Sequence, residues 1–197
     1  MKIKICGITN LEDALDAINA GANALGFVFY SKSPRYITPL DARKIVDKLP
    51  PFIQTVGLFV NENESYINQV SLNAKMQMVQ IIDDNNYTNF DLLTSKYIKV
   101  LRAQSKEDIT NINKNEYILI DAFVESFGGE GKRVALEWFE NVDCSKMILA
   151  GGLNENNLKE LSSLKLYGVD VSSGVEAKKG KKDKQKMINF VKAANEI

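Results

Sequence analysis

Short apolar runs alternate with helical spacing from one end of the chain to the other. Ile3–Ile8 reads as a strand in which Lys2, Lys4 and Cys6 share one face, while Ile3, Ile5 and Ile8 serve a sheet–helix layer. Asn10 is placed to cap a helix with an apolar face of Leu11, Ala14, Leu15 and Ile18, and Gly21 stops it. Ala24–Tyr30 is the second strand. Thr38 caps the next helix, with Pro39 in its first turn, and Pro50-Pro51 close it after Leu49. Gln54–Val60, Met76–Ile81, Tyr97–Arg102 and Tyr117–Asp121 are the third to sixth strands, and helices are expected over Glu62–Leu72 and Ser105–Ile112. The polar, Asn-rich stretch Asp83–Thr94 leaves room only for a short helix. After the loop Ala122–Lys132 come a short helix around Ala135–Phe139 and a seventh strand, Met147–Ala150. A helix capped by Asn154 or Asn156 runs through Leu164, Tyr167–Val171 is the eighth strand, and a last helix spans about Asp183–Ala194.

Eight strand–helix units in unbroken alternation imply a parallel sheet. Most strands are continuous apolar runs, as expected when both faces of a sheet are covered. Eight units predict a closed α/β fold, the (β/α)8 barrel, with short loops. An open doubly wound sheet competes, but no GxGxxG follows the first strand, where a dinucleotide-binding fold carries it. No linker divides the chain, so residues 1–197 are expected to form one catalytic domain.

Composition narrows the chemistry. Twenty-five basic and 25 acidic residues balance to zero net charge, which gives no support for a general nucleic-acid binder. No apolar run approaches the length of a membrane span. Met1 runs directly into the first strand, so no leader peptide is expected, and two cysteines fit a reducing cytoplasm. The absence of histidine rules out any Ser-His or Cys-His pair and removes the commonest zinc ligand. Acid–base work must fall to Cys, Asp, Glu, Lys or Tyr. Two cysteines alone cannot close a structural zinc site.

In a barrel the functional residues gather at the C-terminal ends of the strands. Those ends present Cys6, then Arg35 in SKSPRY, Arg102, Asp121, Gly151-Gly152 and Ser172-Ser173-Gly174. The two small-residue turns after the seventh and eighth strands put main-chain N–H groups at one corner, and a short helix start after Ser173 would add its dipole there. Together they point to phosphate, although either turn alone needs glycine for geometry. Buried cysteine is usually a small packing residue, and Cys144 fits that role. Cys6 differs in position: Lys4 lies beneath it on the same face and needs a buried partner, for which Asp170 on the adjoining eighth strand is the candidate. A nearby cation would lower the Cys6 pKa and favour thiolate. Asp121 ends the apolar run YILID, where a carboxylate can have a raised pKa and donate a proton; a helix cap or loop ion pair is the plainer reading. Strands one and six are three steps apart in an eight-strand ring, so Cys6 and Asp121 should face one another across the mouth. Arg35 has the fork that suits a carboxylate, and otherwise a surface salt bridge. Arg102 is either a second mouth residue or structural. GGEGK is glycine-rich enough to serve as a lid, and the lysines of KKGKKDKQK read as a solvated face that attracts anions.

KICGIT, GFVFYSKSPRYI, GLFVNE, ILID followed by GGEGK, LAGGLNENN and VDVSSGVE…GKKD…KMINFV occur in the order and spacing of one family. From Lys4 to Val191 the chain resembles the phosphoribosylanthranilate isomerases of tryptophan biosynthesis. The resemblance implies a (β/α)8 barrel that converts N-(5′-phosphoribosyl)anthranilate to 1-(2-carboxyphenylamino)-1-deoxyribulose 5-phosphate without cofactor or metal. It assigns the general base to Cys6, the general acid to Asp121 and the substrate-carboxylate contact to Arg35. It assigns the phosphate to Gly151, Gly152, Ser172, Ser173 and Gly174. The partner is then a small phosphorylated substrate, and the protein a monomer or homodimer. Two positions depart from the family pattern. QLHG is usual after the fourth strand, and this chain has Gln80-Ile81-Ile82-Asp83; Glu130 stands where Thr or Ser is common. A histidine-biosynthetic phosphosugar isomerase is the nearest alternative, but it would carry aspartate where Cys6 stands. An inactive barrel kept as a binding protein would be expected to lose Cys6, Asp121 or the phosphate turns.

Overall fold

A computed structural model describes residues 1–113, 115–122 and 132–197. The expected lid, GGEGK, lies outside the described residues except for Lys132, as does Glu130. Eight parallel strands close into a barrel in sequence order. They are β1 (Lys2–Ile5), β2 (Ala24–Val28), β3 (Gln54–Val60), β4 (Met78–Ile82), β5 (Lys96–Ala103), β6 (Ile118–Ala122), β7 (Met147–Leu149) and β8 (Gly168–Val171). Closure is made by β1 against β8, with Lys4 opposite Asp170.

Helices form where cap and periodicity agree. In α1 (Leu11–Ala20) the Asn10 side chain accepts the Asp13 N–H at 2.9 Å, and Gly21 ends the helix at φ 107°. Thr38 caps α2 (Pro39–Val46), with Pro39 in the first turn as expected. Next come α3 (Glu64–Ala74), α4 (Lys106–Thr110) and α5 (Lys184–Asn195), which Asp183 caps.

The short helices expected within Asp83–Thr94 and around Ala135–Phe139 are 3₁₀ turns, Phe90–Leu92 after β4 and Leu136–Phe139 after β6. The longer helix expected through Leu164 is reduced to one such turn, Leu158–Leu161, after β7. The last is not capped by Asn154 or Asn156. Asn157 organises it instead, accepting the Asn154 N–H at 3.0 Å and donating to the Gly152 carbonyl at 2.9 Å. The helix start expected after Ser173 is one 3₁₀ turn, Ser173–Val175, too short to add a helix dipole. A small antiparallel hairpin, β9 (Glu176–Lys178) and β10 (Lys181–Lys182), follows it. The lysine-rich sequence hides this hairpin, because charge reads as solvent while Lys182 is in fact 3% exposed.

Strand parity decides which residues reach the barrel interior. Ile3, Ile5, Val79, Ile81, Ile120 and Leu149 join the main core under the helices. Alternate residues of the same strands form a second cluster, in which Met78, Val100 and Ile148 pack on Ile98, Leu119 and Ala150. Phe27, Phe59 and Phe190 are fully buried, each worth about 1.5–3 kcal/mol relative to exposure. Among the described residues no helix is long and apolar enough to cross a membrane.

Candidate active site

A cavity of about 350 Å³ opens at the C-terminal ends of the strands, within the usual size range for small-molecule sites. Cys6 and Asp121 both line it, together with Arg35, Asp170, and the turns Gly151-Gly152 and Ser172-Ser173. Gly174 has a different task. A Cβ there would lie 1.9 Å from the Leu153 carbonyl oxygen, so glycine lets the two turns touch.

Cys6 is buried, and its N–H donates to the Val171 carbonyl at 2.8 Å. The Lys4 ammonium binds both oxygens of Asp170 at 3.0 Å. Gly26 makes room for both groups, since a Cβ there would stand 2.7 Å from Sγ of Cys6 and 2.9 Å from Nζ of Lys4. In the sequence Gly26 is only one residue of an apolar strand. Burial works to pull Lys4 down, but Asp170 and Cys6 outweigh it and hold the ammonium above its ordinary pKa. Breaking this pair strands a buried charge. Asp170→Ala is expected to cost about 3–5 kcal/mol in urea unfolding; a loss below about 1 kcal/mol would show that Lys4 is stabilised some other way.

The thiol does not follow the expectation of a lowered pKa. Burial pushes Cys6 above its ordinary value; the Lys4 ammonium pulls the other way, and Asp170 adds to the rise. The expectation counts the cation but not the shielding carboxylate or the loss of water. For Asp121, burial raises the carboxyl to about 6, against a hydrogen bond from the Ala122 N–H at 2.8 Å; nearby Asp170 raises it further, and Arg102 and Lys4 oppose. Arg102 sits in register with Asp121 and is ion-paired with Asp84.

Gly151 and Gly152 adopt φ 83° and 62°, which favour glycine. A Cβ on Gly151 would also come within 2.5 Å of the Asp121 carboxylate. Among the described residues, the N–H groups of Gly152, Ser173 and Gly174 donate to no protein acceptor. Lys32, Lys132 and Lys179 line the same cavity. Unpaired N–H groups with cations close by favour an anion.

Arg35 is buried, not a surface residue. Its Nε and Nη2 donate to the two oxygens of Glu176 at 2.8 and 2.7 Å. Lys182 donates to the same carboxylate at 3.1 Å and to the Ser172 carbonyl at 3.1 Å. Burial works to raise Glu176, but Arg35 and Lys182 hold it below the usual carboxylate range. Sequence reasoning misses both Glu176 and Lys182, although both sit inside the quoted motif VDVSSGVE…GKKD. Gly7 makes room for Arg35: at φ 78°, a Cβ would meet the arginine Cδ at 2.8 Å. Ile82, where the family pattern has histidine, lines the cavity as an apolar wall.

The sequence profile of N-(5′-phosphoribosyl)anthranilate (PRA) isomerase matches residues 3–193. The chain is 56% identical over 194 residues to the N-(5′-phosphoribosyl)anthranilate isomerase of a Nitratiruptor species, covering 98% of each. The crystal structure of the Thermotoga maritima phosphoribosyl anthranilate isomerase superposes with a TM-score of 0.89 at 37% identity over the full length of both chains. A further isomerase structure, in complex with reduced 1-(o-carboxyphenylamino)-1-deoxyribulose 5-phosphate, matches with a TM-score of 0.83 at 36% identity, also over both full chains. The chain is therefore a (β/α)8-barrel enzyme belonging to the phosphoribosylanthranilate isomerase family.

Proposed function

We propose that the enzyme converts N-(5′-phosphoribosyl)anthranilate to 1-(2-carboxyphenylamino)-1-deoxyribulose 5-phosphate, with Asp121 as general acid and Cys6 as general base. The observation that carries this reading is that a carboxyl of raised pKa and a thiol line one cavity whose rim also offers unpaired N–H groups. Protonated Asp121 gives its proton to the ribose ring oxygen, and the C1′–O bond breaks to leave a Schiff base. The Cys6 thiolate then removes the proton from C2′, and the electron pair flows into an enolamine. A proton then returns to C1′ as the C2′ hydroxyl gives up its own, and the enolamine becomes the ketone. Lys4 stabilises the thiolate as it forms. The turns at Gly151, Gly152, Ser172 and Ser173 hold the phosphate, and Arg35 holds the aromatic carboxylate. Fixing both ends keeps C2′ beside the thiolate and removes much of the entropic barrier.

The test is complementation of a tryptophan auxotroph lacking this isomerase. The gene is expected to restore growth without tryptophan. Failure with folded protein present would contradict the proposal.

A further inference from the structure

The guanidinium proposed to grip the substrate carboxylate is itself gripped by a carboxylate. Glu176 opens β9, is 7% exposed, and faces Arg35 in a two-point pair. Glu176 is also fixed in place. Lys182, whose side chain is fully buried, ties its Oε1 to the Ser172 carbonyl, and the Gly180 N–H donates to the same oxygen at 3.3 Å. The hairpin that carries both residues is strapped to α1, where the buried Asp13 accepts the Lys182 N–H at 2.7 Å and the Lys181 ammonium at 2.7 Å. The reaction steps above use neither Glu176 nor Lys182.

A guanidinium has five N–H groups in one rigid plane. Glu176 takes the edge formed by Nε and Nη2. The outer edge, Nη1 with the second N–H of Nη2, is left as a parallel pair that matches a second carboxylate. Among the described residues Nη1 donates to no protein acceptor. The stem is confined as well, because Arg35 Cδ passes over Gly7 where no Cβ would fit.

We propose that Glu176 is a positioning residue that locks the plane of Arg35, so that its outer edge receives the aromatic carboxylate of the substrate. This rests on the reading of Arg35 as the carboxylate contact. Charge and position predict opposite signs here. Removing a negative charge next to an anion site would tighten anion binding if charge alone mattered. Loss of orientation weakens it.

The experiment compares two reduced product analogues, one with and one without the aromatic carboxylate, as inhibitors of wild type, Glu176→Gln and Arg35→Met. Glu176→Gln keeps the volume but turns one acceptor into a donor facing Arg35. It is expected to weaken the carboxylate-bearing analogue at least tenfold and the other less than threefold, with KM for substrate rising more than kcat falls. Unchanged or tighter binding of the carboxylate-bearing analogue, or equal loss for both, would overturn the proposal. Arg35→Met separates the two readings. If it leaves the wild-type preference for the carboxylate intact, the Arg35 assignment fails whatever Glu176 does. If it removes that preference while Glu176→Gln keeps it, only the positioning role fails. Should Glu176→Gln not fold, Glu176→Asp, which keeps the charge but draws it back by one methylene, is read with the same pair and the same criteria.

Discussion

Replacing Cys6 by serine is expected to lower kcat by about 10²–10⁴-fold while KM changes little. The serine hydroxyl fits the space that Gly26 leaves for the thiol and can accept a hydrogen bond from the neighbouring Lys4. The fold and the proposed substrate contacts at Arg35 and the two turns are therefore retained. The proposed base is lost, because a hydroxyl does not ionise in the range where a thiol does. Steady-state kinetics on the purified variant, with circular dichroism to confirm folding, decides the matter. A kcat within tenfold of wild type would remove Cys6 from the role of base.

Asp121→Asn is expected to reduce kcat by a comparable factor and at the same time to stabilise the protein above pH 6. The second effect follows from the direction of the pKa shift. A carboxyl that titrates near 4 when unfolded and at about 6 when folded binds more protons in the native state between those values. Ionising it costs stability that grows between about pH 4 and 6 and stays lost above. Asparagine cannot ionise, and its amide oxygen can still accept the Ala122 N–H. The variant should gain about 1–3 kcal/mol at pH 7–8 and close to nothing below pH 4. Thermal unfolding at pH 4 and 7.5 measures the difference. A variant that is slower and also less stable at pH 7.5 would mean that Asp121 serves the fold as an ion pair. Activity sacrificed for stability in this way is common where a site holds a strained or desolvated charge.

Much of the barrel is legible in the sequence because strand chemistry repeats. Each apolar run with a turn residue after it can be read alone, and β3 falls residue for residue at Gln54–Val60. The face shared by Lys4 and Cys6, and the Lys4–Asp170 pair, follow from period-two parity and from β1 adjoining β8 in any closed ring. Three things are not legible. The helix expected through Leu164 has helical composition but too few residues for a nucleus without help, so only Leu158–Leu161 settles, as a 3₁₀ turn. Lys182 looks like one more surface lysine in KKGKKDKQK, and only the hairpin that turns at Gly180 puts it against Glu176. Gly26 and Asn157 act through what they approach, a thiol and an ammonium in one case and the Gly152 carbonyl in the other, and no local pattern encodes those contacts. The thiol pKa is misjudged from sequence for a related reason. Its sign depends on how much water Cys6 keeps and on how far Asp170 neutralises Lys4, and both are set by packing across three strands.

The corrected pKa order changes the expected pH dependence. With the proposed acid at about 6 and the proposed base above the ordinary thiol value, the form the proposal requires (protonated Asp121 with thiolate Cys6) is a constant minority between the two values. The rate should be flat across neutral pH and fall on either side. The most direct measurement is therefore the ratio of kcat/KM for Asp121→Asn to that of wild type across pH 5 to 9, in which the titration of the substrate phosphate cancels. Asparagine leaves only the thiolate to titrate. The ratio should be flat below about pH 6 and then rise by roughly tenfold per pH unit. A ratio that stays flat through pH 6 would contradict the assignment of Asp121 as the proton donor.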